Sequence, residues 1–199
     1  MLLSILLNEF DMIKEAQNGS VAAFNQLVMT YQSLAYNVAY RVMGNRESAA
    51  DACQESFLKA YKSMHQYQGG SFKSWLLRIV TNTCYDQIRY RIRRPADSLE
   101  DLTQETGEDD GRWANHDELP EERMLRDELN DLLQQAINQL PQDQRTVLVL
   151  SDVQHLSYQE IAEVINQPLG TVKSRLSRAR HRVRDFLLEH KELLPNQYR

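Results

Sequence analysis

Apolar residues return at three- and four-residue steps through most of this chain, and no run alternates in the manner of a strand. The pattern predicts an all-α protein. Ser20 is placed to cap a helix carrying Ala23, Phe24, Leu27, Tyr31, Leu34, Ala35, Val38 and Val42 on one face, closed by Gly44-Asn45. A second helix, roughly 47 to 64, is expected to bury Ala49, Cys53, Phe57, Ala60 and Met64. The glycine pair in Gln66–Ser71 marks a loop, and Ser71 can cap a helix that buries Phe72, Leu76, Ile79, Val80 and Thr83 before Pro95 stops it. After a polar interval, Leu125, Leu129, Leu132, Leu133, Ala136, Ile137 and Leu140 form an amphipathic helix that ends at Pro141. Asp143 to Leu150 add another. Ser157 and Glu160 then make a capping box ahead of Ile161 and Ala162. A turn over Asn166–Gly170 leads into a last helix with Val172, Leu176, Ala179, Val183 and Leu187 at steps of four and three.

Charge divides these helices into two modules. The chain of 199 residues has a formal net charge of -5, yet residues 171–184 hold six basic side chains and no acidic one. Residues 1–95 carry 11 basic and 7 acidic groups, residues 96–128 carry 3 and 13, and residues 129–199 carry 9 and 8. The middle segment is too acidic and too poor in apolar residues to fold alone. The expected organisation is therefore two small helical modules, 1–95 and 123–199, joined by a flexible acidic linker over 96–122. The apolar start, Met1 to Leu7, is too short to span a bilayer and lacks the basic flank and cleavage site of a signal peptide. No membrane insertion is expected, and the location read from these features is the cytoplasm. Cys53 and Cys84 are far apart in sequence, which favours core packing over a disulfide. The five histidines are scattered, and no Cys/His cluster or paired-carboxylate motif has ligand spacing; Asp51 and Glu55, one helical turn apart, could ligate a metal, but a helix pair alone is weak evidence, so no metal, cofactor or catalytic residue is expected.

Three faces carry recognisable chemistry. Asp51, Gln54, Glu55 and Leu58 share the side of the second helix opposite its apolar stripe; an exposed leucine among carboxylates fits either a solvated acidic face or a docking surface for a basic partner. Arg78, Asn82, Tyr85 and Arg89 line another stripe. There arginine can neutralise phosphate, the amide can read a base edge and the ring can stack, although a solvated basic face has the same pattern. In the last helix Ser174, Ser177, Arg178 and His181 lie opposite the apolar row, with Thr171 and Lys173 near its start. Small hydroxyls permit close approach to a major groove, and Lys or Arg reaches guanine N7 and O6. Arg175, Arg180, Arg182 and Arg184 sit on the flanks, where phosphates would lie. A capped helix, a tight turn and a one-signed amphipathic helix together read as a helix-turn-helix.

These stretches resemble a known family. Residues 51–61 (DACQESFLKAY), 72–82 (FKSWLLRIVTN) and 170–180 (GTVKSRLSRAR) are similar to regions 2.2, 2.3–2.4 and 4.2 of bacterial sigma factors of the extracytoplasmic-function group, of the sigma-E and sigma-W type. The resemblance implies a promoter-specificity subunit of RNA polymerase with no catalytic chemistry of its own. It implies that Asp51, Gln54, Glu55 and Leu58 dock the beta-prime clamp helices, with the beta subunit also in the complex. It implies that Gln68, Gly69, Gly70 and Ser71, with Arg78, Asn82, Tyr85 and Arg89, hold the melted strand of the -10 element. Thr171, Lys173, Ser174, Arg175, Ser177, Arg178, Arg180 and Arg182 would bind the -35 element. An anti-sigma factor is a further implied partner, and could hold the protein at the inner membrane.

Two readings compete with this one. A free-standing helix-turn-helix repressor or activator explains the last module equally well, but neither the acidic face with its leucine nor the second basic stripe. An enzyme lacks a clustered site. The acidic linker, with Glu105, Glu108, Asp109 and Asp110, could also act as a polyanion occupying the basic RNA exit channel of the polymerase.

Overall fold

In the computed structural model, residues 2–93 and 120–194 are described. Four helices form the first module: α1 (Leu2–Gln17), α2 (Val21–Met43), α3 (Arg46–Ser63) and α4 (Phe72–Arg93). The second holds α5 (Pro120–Asn138), α6 (Gln142–Leu148), α7 (Tyr158–Ile165) and α8 (Leu169–Glu189). Among the described residues every long element is helical, as the periodicity predicts. The expected linker lies almost wholly outside the described residues; α5 begins within its last residues, at Pro120.

Local signals place the helix ends. The Ser20 hydroxyl accepts from Ala23 N at 3.2 Å, and Gly44 takes the left-handed conformation at φ 84° while its N–H donates to Tyr40 O at 2.8 Å. Ser71 Oγ accepts from Ser74 N at 3.2 Å. The capping box at α7 is complete: Glu160 N donates to Ser157 Oγ at 3.3 Å and Ser157 N to Glu160 Oε2 at 2.8 Å. Those hydrogen bonds, with lesser help from Ser74 and Lys73, outweigh burial and hold the Glu160 carboxyl below its ordinary range.

Three details differ from expectation. α1 is a full helix that no cap or alternation announces; Ile13 and Ala16 are buried, and Gln17 Nε2 donates to Tyr67 O at 2.7 Å. On α3 the buried row is Ala49, Ala52, Ser56 and Ala60, not the line through Cys53 and Phe57, which are only half-buried. Close packing of α3 against α2 and α4 selects the small residues. In the second module α8 begins at Leu169, so Gly170 is helical; Asn166 makes the turn instead, at φ 50°, and Pro168 occupies the N-cap. Asn tolerates the left-handed region, and Pro fits the start of a helix because its missing N–H would have no partner there.

The modules are in contact. α4 packs against α7, and α2 against α5 and α6. Arg41 Nη1 donates to Gln134 Oε1 at 3.0 Å and Arg145 Nη1 to Val42 O at 2.8 Å. A Cβ on Gly44 would fall 2.8 Å from Asn138 Oδ1, so that approach requires glycine twice over, for its φ and for its space. Cys84 is fully buried and Cys53 half-buried, both as free thiols. Burial pushes their pKa values up to about 12 and about 11, which leaves them protonated and unreactive near neutrality.

Candidate nucleic-acid interface

α8 is held by one side. Val172, Leu176 and Ala179 are 0%, 2% and 0% exposed, and they seat the helix on α6 and α7. This leaves Lys173, Ser174, Ser177, Arg178 and Arg182 exposed together, with Thr171 half-buried at the start. Ser174 Oγ donates to Thr171 O at 3.0 Å, which draws its side chain close to the helix. Of the three remaining flanking arginines, Arg184 binds Asp185 on its own helix at 2.8 Å, and the other two are engaged by earlier elements of the module. Arg175 Nε lies 2.9 Å from Asp143 Oδ2. Arg180 binds Asp152 through two hydrogen bonds, 3.0 and 2.6 Å, and that carboxylate raises its pKa further above the ordinary arginine value. Periodicity could not show the pairs of Arg175 and Arg180, because their acids lie on earlier helices.

The other basic stripe is less open. Arg78 and Asn82 are exposed on α4 one turn apart, and Arg89 is exposed two turns further on. Tyr85, between them, is half-buried beneath α6; it is hydrogen-bonded to Thr146, and burial raises its phenol pKa. Lys73 Nζ, at the start of the same helix, donates to Gln154 O of the second module at 2.8 Å.

Beside α4 lies a cavity of about 690 Å³ lined by Gln68–Ser71 together with Glu9, Lys14, Tyr31 and Tyr67. Its loop is pinned: Gly69 and Gly70 sit at φ 95° and 93°, and Tyr67 Oη donates to Gly70 O at 2.7 Å. Tyr31 Oη donates to Glu9 Oε1 at 2.7 Å; burial foremost, then this carboxylate, pushes the phenol pKa far up. The α1 residues of this wall were not identified from sequence, since the helix that carries them was not read.

On α3, Asp51, Gln54 and Leu58 face solvent, with Leu58 56% exposed, and Glu55 is half-buried among them. Glu55 accepts from Lys59 and from Gln87, each at 2.8 Å, which lowers its pKa. The face is rigid and acidic, with one leucine standing out of it. Among the described residues no three metal-ligating side chains cluster.

Comparison with known proteins shows the family to which these modules belong. The family model "Sigma-70 region 2" matches residues 27–94, and "Sigma-70, region 4" matches residues 130–183. The chain belongs to the sigma-70 family. Its relatives place it in the extracytoplasmic-function group. It is 41% identical to the RNA polymerase sigma-H factor of Pseudomonas aeruginosa, over 86% of this chain and 90% of that protein. It is 35% identical to the sigma factor SigW of Bacillus subtilis, over 88% and 94%. Among solved structures it is similar to the sigma factor RpoE of Bartonella quintana, determined in complex with the anti-sigma factor NepR, with a TM-score of 0.67 and 27% identity over 84% of this chain and 98% of the other. Membership makes this chain a sigma subunit, a transcription-initiation specificity factor that binds core RNA polymerase and promoter DNA. The region 2 match takes in α3, the glycine loop and α4, and the region 4 match takes in the helix-turn-helix. A free-standing repressor would have no use for the former.

Proposed function

We propose that Asp51, Gln54, Glu55 and Leu58 dock the beta-prime subunit of the polymerase, that Gln68–Ser71 with Arg78, Asn82, Tyr85 and Arg89 hold the melted -10 strand, and that α8 reads the -35 element. The observation that carries this reading is the geometry of α8. Val172, Leu176 and Ala179 of its apolar row are fully enclosed, so the exposed Lys173, Ser174, Ser177 and Arg178 are presented on a helix held by one side that fits a major groove. Lys173 and Arg178 supply the donors for guanine, the serines admit close approach, and Arg182 meets phosphate. Arg175 and Arg180 reach DNA by exchanging Asp143 and Asp152 for phosphate oxygens.

At the -10 element a base leaves the stack, which costs a few kcal/mol before contacts repay it. The pinned glycine loop and its half-open cavity supply a place for such a base, and Arg78 and Arg89 carry positive charge further along α4. The protein carries out no bond chemistry. It acts in the cytoplasm, and an anti-sigma partner that covers both modules would withhold it from the polymerase.

Co-purification with bacterial core RNA polymerase tests the first assignment. Stoichiometric binding is expected for the native chain and its loss for Asp51→Arg, Glu55→Arg. A variant that binds as well as the native chain would remove α3 from the interface.

A further inference from the structure

We infer that Asp143 and Asp152 compete with phosphate for the flanking arginines of α8, cancelling its sequence-independent grip and leaving its hold on DNA to the groups that reach base edges. This rests on the -35 reading above and adds to it two residues that touch no base. The sequence gives residues 171–184 six cations and no acid. Three of the six are neutralised in the structure. Arg175 Nε lies 2.9 Å from Asp143 Oδ2, Arg180 holds Asp152 by bonds of 3.0 and 2.6 Å, and Arg184 lies 2.8 Å from Asp185. The pairing is selective. Lys173 and Arg178, the two cations aimed at bases, are exposed and pair with no acid among the described residues, and the same holds for Arg182.

Both carboxylates are fixed. Asp143, in the first turn of α6, also accepts from Gln144 N at 3.0 Å. Asp152 sits on a π turn, Val149–Val153, that follows α6. Such a turn fits an extra residue into the helical path and is frequent at functional sites. Here it keeps Val149, Leu150 and Ser151 buried while Asp152 stands at the surface beside α8. Ser151 hydrogen-bonds Asp152 and Tyr158 hydrogen-bonds Arg180, which completes the pair. Bracing α8 is a poor account of these acids. Val172, Leu176 and Ala179 already seat the helix, and exposed ion pairs typically add about 1 kcal/mol or less to stability.

DNA releases counterions in proportion to the charge that meets it, so that log K falls with log salt at about 0.9 per phosphate neutralised. An arginine with a carboxylate at its tip brings no net charge to a phosphate. If the arginine leaves the acid for DNA, the acid stays behind at the interface and repels. Either way the pair adds close to nothing, on any sequence. Lys173 and Arg178 keep their full charge, and contacts to base edges are the ones that distinguish sequences. The loss therefore falls on the phosphate part of binding and spares the readout.

Binding of the full chain to duplex DNA of random sequence tests this. Asp143→Asn and Asp152→Asn keep the shape and a hydrogen-bond acceptor and remove one charge each. Both are expected to bind more tightly than the native chain, with a salt slope steeper by up to about 0.9, so that their advantage grows by up to about 3.5-fold as salt falls from 200 to 50 mM. The -35 bases that holoenzyme selects from a randomised pool are expected to stay the same. Asp152→Glu keeps the charge and is expected to bind random duplex as the native chain does. A gain with Asp152→Glu as large as with Asp152→Asn would mean lost packing rather than lost charge, and would overturn the inference. So would Asn variants that bind random duplex no better than native, or that change the selected bases, as loosened braces of α8 would. Should Asp152→Asn fail to fold, as judged by circular dichroism, Asp143→Asn decides. Failure of the native chain to bind core polymerase would strike the sigma assignment instead, because random-duplex binding does not pass through the polymerase.

Discussion

Two basic helices in this molecule serve the same polyanion and are prepared for it differently. α8 is complete as it stands: one side is sealed into the second module, the other faces water, and two of its arginines rest on acids from its own module. α4 is packed by several neighbours at once. Its stripe alternates exposed Arg78, Asn82 and Arg89 with a half-buried tyrosine. The difference teaches that a helix which reads intact duplex can be presented ready-made, whereas one that receives an unstacked strand needs a cavity, a loop and an arrangement of neighbours that can move.

The comparison breaks most sharply at the buried side of α8. Leu176→Ala is expected to cost about 2–5 kcal/mol through the transfer and cavity terms. It should abolish -35-dependent transcription while leaving core polymerase binding through α3 intact, as checked by native co-purification beside promoter assays. Arg178→Ala should cost about 1–3 kcal/mol of base discrimination at -35, visible as relaxed selectivity across -35 variants with an unchanged melting temperature. Ser157→Ala should lower stability by about 1 kcal/mol through lost capping, measured by denaturant unfolding.

Acid titration gives the smallest effect and tests the same cap. The Glu160 carboxyl is depressed in the folded state, so its contribution is fully present above the unfolded carboxylate value of about 4.3 and disappears as pH falls through the lower folded value. Unfolding of native and Glu160→Gln chains should therefore differ at pH 7 and converge on acidification below pH 4. On α4, Tyr85→Phe keeps the ring and removes only the bond to Thr146, so it should leave -10 opening within holoenzyme unchanged, whereas Tyr85→Ala should impair it.

Much of the fold was legible because its signals are local. Ser20, Ser71 and Ser157 each cap where a short hydroxyl precedes an apolar period, and the enclosed row of α8 follows directly from steps of four and three. What could not be read depends on partners distant in sequence. α1 has no cap among its signals and is held by tertiary packing of Ile13 and Ala16. The pairing of Arg175 with Asp143 and of Arg180 with Asp152 joins separate helices. Within the predicted turn Asn166–Gly170, periodicity could not show that Asn166 alone supplies the left-handed residue and that Gly170 already belongs to the helix.

The row of small residues under α3 has a consequence for how such a protein can change over generations. Ala49, Ala52, Ser56 and Ala60 lie against their neighbours with almost no exposure, so enlarging any of them forces helices apart. Asp51, Gln54 and Leu58, a residue or two away, touch nothing that the fold needs. Binding preference and stability are thus written on interleaved but separate letters of one helix. A lineage can retune its choice of partner there by single substitutions without first acquiring a compensating change in the core.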